Sequence, residues 1–178
     1  MYWYKHFKTF IYSVAITSGF SACKPDVTVN NAQYFDVKGY FGHEADRLTK
    51  QHPRVKKTVK HNLDGESQDI AIASWKDELG LFAGSDINKP AWRSSYAVIK
   101  RGNTTIYKAK QPDLKTRSIT VVNNGKSIRS ILIVNHTSNL LYSSTEKLMY
   151  YPDSAYHISK VQHVRLLGAN SYDIDSKF

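Results

Sequence analysis

Cysteine is almost absent from this sequence of 178 residues. Cys23 stands alone, so no intramolecular disulfide can staple the fold. Acid is scarce too, with 15 aspartates and glutamates against 25 lysines and arginines. No apolar run reaches the roughly 20 residues that a membrane-spanning helix needs. Glycine is scattered, mostly at turns, and forms no phosphate-binding loop. The Gly-x-Ser-x-Gly signature of serine hydrolases is missing. Internal repeats and low-complexity segments are missing as well. His43, His52, His61, His136, His157 and His163 include no short ligand pair of the His-x-x-x-His kind. His157 and His163 share a strand face by parity, but six residues separate them by roughly 20 Å. The expectation is no metal, no cofactor and no catalytic residue.

What is present begins at the N-terminus. Lys5 and Lys8 open the chain without a neighbouring acid, and a mostly apolar run follows from Phe10 to Phe20. A positive start, a short apolar stretch and small residues at the end make a secretory signal. Phe20-Ser21-Ala22-Cys23 then resembles the lipobox of bacterial lipoproteins, with phenylalanine where leucine is usual. The resemblance implies cleavage before Cys23, a diacylglycerol on its thiol and acylation of the new amine. A lone thiol would otherwise be a liability in an oxidising compartment. Segment 1–22 is thus expected to be a signal peptide, and 23–33 a lipidated cysteine with a short polar tether. Residues 34–178 are expected to form a single domain.

Lys5 and Lys8 leave with the signal, so 23 basic residues remain against 15 acidic ones. Such a surplus suits phosphate-bearing lipid or anionic glycan. Nucleic acid is not an expected partner of an anchored envelope protein.

Apolar spacing predicts a helix over 34–51, closed by Pro53. A hairpin over 54–72 is expected to turn at Asp64-Gly65. A second helix over 74–85 is capped by Ser74 and carries Trp75, Leu79, Phe82 and Ala83 as a stripe. Strands are expected at 92–101, 104–110, 117–123, 127–135, 140–151, 156–167 and 171–174, with Asn124-Gly125 the strongest hairpin turn. Connections this short permit only antiparallel neighbours. The expected fold class is α+β: two N-terminal helices packed on a curved, mostly antiparallel sheet, a hairpin plus a meander of about seven strands.

Candidate binding residues are few. Alternation puts Arg54, Lys56 and Lys60 on one face of a strand, where they suit an anionic partner. The same lysines would also protect an exposed edge strand from aggregation. His43-Glu44 with Asp46 has an acid/base look, but adjacent helical residues diverge and a solvated face is expected. Tyr142, Tyr150, Tyr151, Tyr156 and Tyr172 fall in or beside late strands, as a half-buried sheet face or the lining of a groove.

Tyr34-Phe35-Asp36-Val37-Lys38-Gly39-Tyr40-Phe41, Ser85-Asp86-Ile87-Asn88-Lys89-Pro90-Ala91-Trp92 and Tyr151-Pro152-Asp153-Ser154 resemble a group of small lipoproteins of the Bacteroidota. The resemblance covers most of the chain after Cys23 and implies an envelope location without a particular chemistry. Lys24 is not the aspartate that retains some lipoproteins in the inner membrane, which favours the outer membrane. The expected function is a non-enzymatic binding or structural module, anchored to a membrane and facing an envelope protein, glycan or lipid. A carrier or chaperone for a lipid or other apolar ligand is the first alternative, and an envelope hydrolase the second.

Overall fold

The computed structural model describes residues 33–62 and 64–178. The expected signal segment, Cys23 and nearly all of the tether lie outside the described residues. A compact unit spans Ala32–Phe178, and its core is drawn from residues between Tyr34 and Phe178.

The expected α+β layout is overturned. The described residues form a sheet protein: nine antiparallel strands make one open sheet in the order β2-β1-β9-β8-β7-β6-β5-β4-β3. The strands are β1 (Arg54–His61), β2 (Asp64–Ala71), β3 (Tyr96–Arg101), β4 (Thr104–Ala109), β5 (Thr116–Asn124), β6 (Ser127–Ser138), β7 (Tyr142–Tyr151), β8 (Ala155–Val164) and β9 (Gly168–Lys177). Among the described residues there is one long helix, α1 (Val37–Gln51). The expected second helix is two single turns, α2 (Trp75–Glu78) and α3 (Gly80–Ala83), which follow β2 in the chain and form no N-terminal layer. Gly80 interrupts the run, at a cost of about 1 kcal/mol relative to alanine inside a helix. Each four-residue turn is too short to sustain itself and depends on burying Trp75, Leu79 and Phe82.

The helix α1 forms because Val37, Phe41, Ala45 and Leu48 recur on one face, all buried. Asp36 caps it by accepting a 2.8 Å hydrogen bond from the Gly39 amide. A Cβ at Gly39 would collide with that carboxylate, whereas one at Gly42 would meet nothing within 4 Å. Gly42→Ala is therefore expected to stabilise the protein by about 0.5–1 kcal/mol. Gly39→Ala is expected to gain nothing, because it displaces the cap. Thermal melts of the two variants check this contrast.

Several turns sit beside their expected places. The β1–β2 turn uses Asn62, at φ 53°, while Asp64 and Gly65 enter β2 opposite His61 and Lys60. Asparagine tolerates the left-handed region, so it can take the role assigned to glycine. In the β5–β6 hairpin Asn124 pairs with Ser127, and Gly125 with φ 62° begins the two-residue loop.

The helix and both turns pack on one face of the sheet. Phe41 meets Tyr150 at 5.1 Å and Phe82 at 4.9 Å between ring centroids, and Phe82 meets Tyr156 at 6.1 Å. Ile119, Val121, Ile131, Ile133 and Leu148 complete this core. Burying each such side chain contributes about 1.5–3 kcal/mol. Four connections gather at one end of the sheet, here the lower end: the β1–β2 turn at Asn62, 110–115, 139–141 and 165–167. The chain joins the domain near that end. Tyr34 packs edge-on against Tyr96, the first residue of β3, and its hydroxyl donates 2.5 Å to the Arg93 carbonyl.

Candidate binding surface

The face opposite α1 is the open one: among the described residues, no helix lies on it. Register places one unbroken ladder across it, from Ile99 through Ile106, Thr120, Leu132, Met149, His157, Asp175 and Thr58 to Ser67. A neighbouring ladder runs from Ala97 through Lys108, Ser118, Val134, Lys147, Ser159 and Asp173 to Lys60. In the β3–β7 half the first ladder is mainly apolar and half-buried while the second carries the exposed Lys108 and Lys147, and the β8–β9–β1 half is charged.

The expected basic ribbon lies in this charged half. Strand β1 is not an edge, because it sits between β2 and β9. Lys56 pairs with Asp69 on one side and Lys177 on the other. Lys60 faces Asp173, and the Arg54 guanidinium donates 2.9 Å to the Asp69 carbonyl. The structure therefore brings Arg54, Lys56 and Lys60 together on the open face but interleaves them with acids. His157 joins the same quilt, 2.7 Å from Asp175 and 3.9 Å from Asp173. Strand spacing could not reveal those aspartates, because they come from β9 through a pairing that only register defines.

The face beneath α1 holds two polar knots that spacing missed. Glu44 turns inward, and the expected solvated face is corrected at this residue. Its carboxylate accepts from the Tyr150 hydroxyl at 2.6 Å and from Arg47 at 2.8 and 3.0 Å. Arg47 reaches on to Asp153 at 2.5 Å. Burial pushes the Glu44 carboxyl up, but the hydrogen bonds from Arg47 and Tyr150 and the Arg47 charge together hold it below its ordinary value. The second knot joins Glu78 to Lys57 at 2.6 Å and to the Tyr156 hydroxyl. Burial first, and the facing carboxylates next, push the phenols of Tyr150 and Tyr156 far up. Burial also pushes Tyr96 up to about 12. These tyrosines stay protonated and act as donors: Tyr150 and Tyr156 tether the helical layer to the sheet, and Tyr96 donates 2.9 Å to the Thr116 carbonyl within the sheet. Of the five late-strand tyrosines, Tyr150 and Tyr156 are core, and Tyr142, Tyr151 and Tyr172 are exposed. They do not line one groove.

A smaller, solvent-open groove of about 400 Å³ lies by the β1–β2 hairpin, lined by Lys57, Val59, Glu66, Gln68 and Ile70. Among the described residues, no group of three histidine, cysteine or acidic side chains is placed to hold a metal ion.

No protein-family model, no curated protein and no solved structure matches this chain.

Proposed function

We propose that the protein is a lipid-anchored lipoprotein of the bacterial cell envelope, at the outer membrane rather than the inner. Its sheet domain is a non-enzymatic binding module for an envelope protein. The anchor reading rests on segment 1–22 and on Phe20-Ser21-Ala22-Cys23. The binding reading rests on one observation, the aliphatic ladder of Ile99, Ile106, Leu132 and Met149 on the open face. Nine strands about 4.8 Å apart make a face roughly 40 Å wide. With about 20 Å of strand length that is about 800 Å², the share that each partner contributes to a standard interface. The face is aliphatic beside charge, which suits a protein surface. A glycan platform would offer aromatic rings for stacking, and here Tyr151 stands at the margin.

The carrier reading has less support, because Phe41, Phe82, Tyr150 and Tyr156 fill the space between helix and sheet. The hydrolase reading also has less, because Glu44 and Glu78 are each engaged by a cation and a tyrosine.

The test uses the full lipidated protein in its own membrane. A photo-crosslinker at Leu132 or Met149 is expected to give one discrete adduct with an envelope protein. The same group at Lys50, on the exposed side of α1, is expected to give none. No adduct from the sheet, or the same adduct from Lys50, ends the binding reading. Separately, Cys23→Ala is expected to lose a fatty-acid label and its place in the membrane pellet. Equal label on both versions ends the anchor reading.

A further inference from the structure

We propose that the lower end of the sheet docks on an anionic phospholipid bilayer, with Leu140, Leu141, Leu166 and Leu167 entering the lipid. Apolar patterning predicts these leucines inside strands 140–151 and 156–167. The structure moves all four out of strands, onto two adjacent hairpin tips. Their exposures are 86%, 72%, 93% and 80%. Single exposed leucines are ordinary, but four at one extremity are not. The tips touch, since the Arg165 amide donates 3.0 Å to the Leu141 carbonyl. Their shape is held from within. The Asn139 side-chain oxygen accepts from the amides of Leu141 at 2.8 Å and Tyr142 at 2.9 Å. Leucines so far from the core stay exposed at a cost unless something covers them.

Charge names the cover. Residues 138–145 and 161–172 contain no acid, while His163 and Arg165 sit among them; Lys160, higher up β8, is paired with Glu146 at 3.4 Å. Arg165 is exposed, adjoins Leu166 in the chain and Leu141 through its amide, and its long stem lets a guanidinium meet a phosphate as the leucines pass below it. A solvent-open depression of about 650 Å³ beside the tips is lined in part by Asn139, Ser143, His163 and Arg165, which suits a lipid headgroup. Tyr142, exposed at the foot of β7 directly beside the tips, is an amphipathic ring of the kind that settles at a membrane interface. Amphipathic elements of this sort bury about 5–10 Å of apolar depth.

The point of chain entry agrees. Tyr34 docks beside the first residue of β3, near the same end. The ten residues 24–33 span up to about 35 Å when extended. An anchor on Cys23 and the leucine tips can thus reach one bilayer. The sheet would then stand upright, with its open face turned sideways to a partner. The docking itself needs no lipid on Cys23, so it is tested without the anchor.

The probe is the unlipidated chain of residues 24–178, which holds the whole described core, mixed with vesicles of phosphatidylcholine and phosphatidylglycerol. The protein is expected to sediment with them, more weakly as salt rises or phosphatidylglycerol is omitted. The variant Leu140→Ser/Leu141→Ser/Leu166→Ser/Leu167→Ser is expected to lose at least about a hundredfold in vesicle affinity. Its melting temperature is expected to stay unchanged, because the four side chains are outside the core. Failure of the parent protein to sediment overturns the proposal, as does equal binding by the variant. A dimer in solution that the variant dissolves, with no vesicle binding, assigns the leucines to a second copy and overturns it too. None of these failures touches the lipidation of Cys23, which the fatty-acid label reads separately.

Discussion

Tyr150→Ala is expected to destabilise the protein by about 3–5 kcal/mol, enough to unfold much of it at physiological temperature. Tyr150 is fully buried, and three aromatic rings surround it: Phe41 at 5.1 Å, Phe82 at 5.9 Å and Tyr40 at 6.4 Å. Removing the ring leaves a cavity between α1 and the sheet that rigid β7 cannot close. It also removes the donor to Glu44. Tyr150→Phe separates these two losses, since it keeps the ring and deletes only the hydroxyl. Its cost is expected to be about 1–2 kcal/mol, because Glu44 keeps both hydrogen bonds from Arg47. Urea titrations of the three proteins check the order. A Tyr150→Ala midpoint within error of the parent, or one equal to that of Tyr150→Phe, would show that packing at this point does not hold the layers together.

Some of this was legible in the residues and some was not, for definite reasons. The helix α1 was visible because Val37, Phe41, Ala45 and Leu48 follow a helical period and Pro53 stops it. Strand alternation is equally direct in β6, where Ile131, Ile133 and Asn135 point inward and Leu132 and Val134 outward. The fold class failed because a sheet's share of a fold depends on long-range pairing. Docking β1 on β9 joins residues more than 110 positions apart, such as Val59 and Ile174. That one pairing makes the sheet nine strands wide and sets Asp173 beside Lys60, while Asp69 beside Arg54 and Lys56 comes from β2. The leucine tips were lost for a different reason. Apolar pairs read as strand interior, and it is the Asn139 turn and the last pairs Tyr142–Val164 and Val164–Gly168 that put them outside. The turn to the core by Glu44 was also unreadable, since its partner Tyr150 lies 106 residues away.

Glu44 carries the second large expectation. Glu44→Ala should cost about 2–3 kcal/mol at neutral pH, because it strands the buried Tyr150 hydroxyl and frees Arg47 from its bidentate partner. The effect should depend on pH in one direction. In the folded protein the Glu44 carboxyl lies below its ordinary value of 4.5 despite its burial, so folding favours the charged form. The unfolded chain binds the proton first as pH falls. The contribution of Glu44 is therefore fully present above about pH 4.5 and is lost as pH drops through the lower folded value. The gap between parent and Glu44→Gln should then be wide at neutral pH and narrow in acid, where the parent carboxyl is also neutral. Denaturant titrations of both proteins across that range measure it. A gap that stays constant would mean that the charge on Glu44 contributes nothing, and that the knot works through its neutral hydrogen bonds alone. A gap that closes would identify Arg47, Glu44 and Tyr150 as an ionic clasp between helix and sheet.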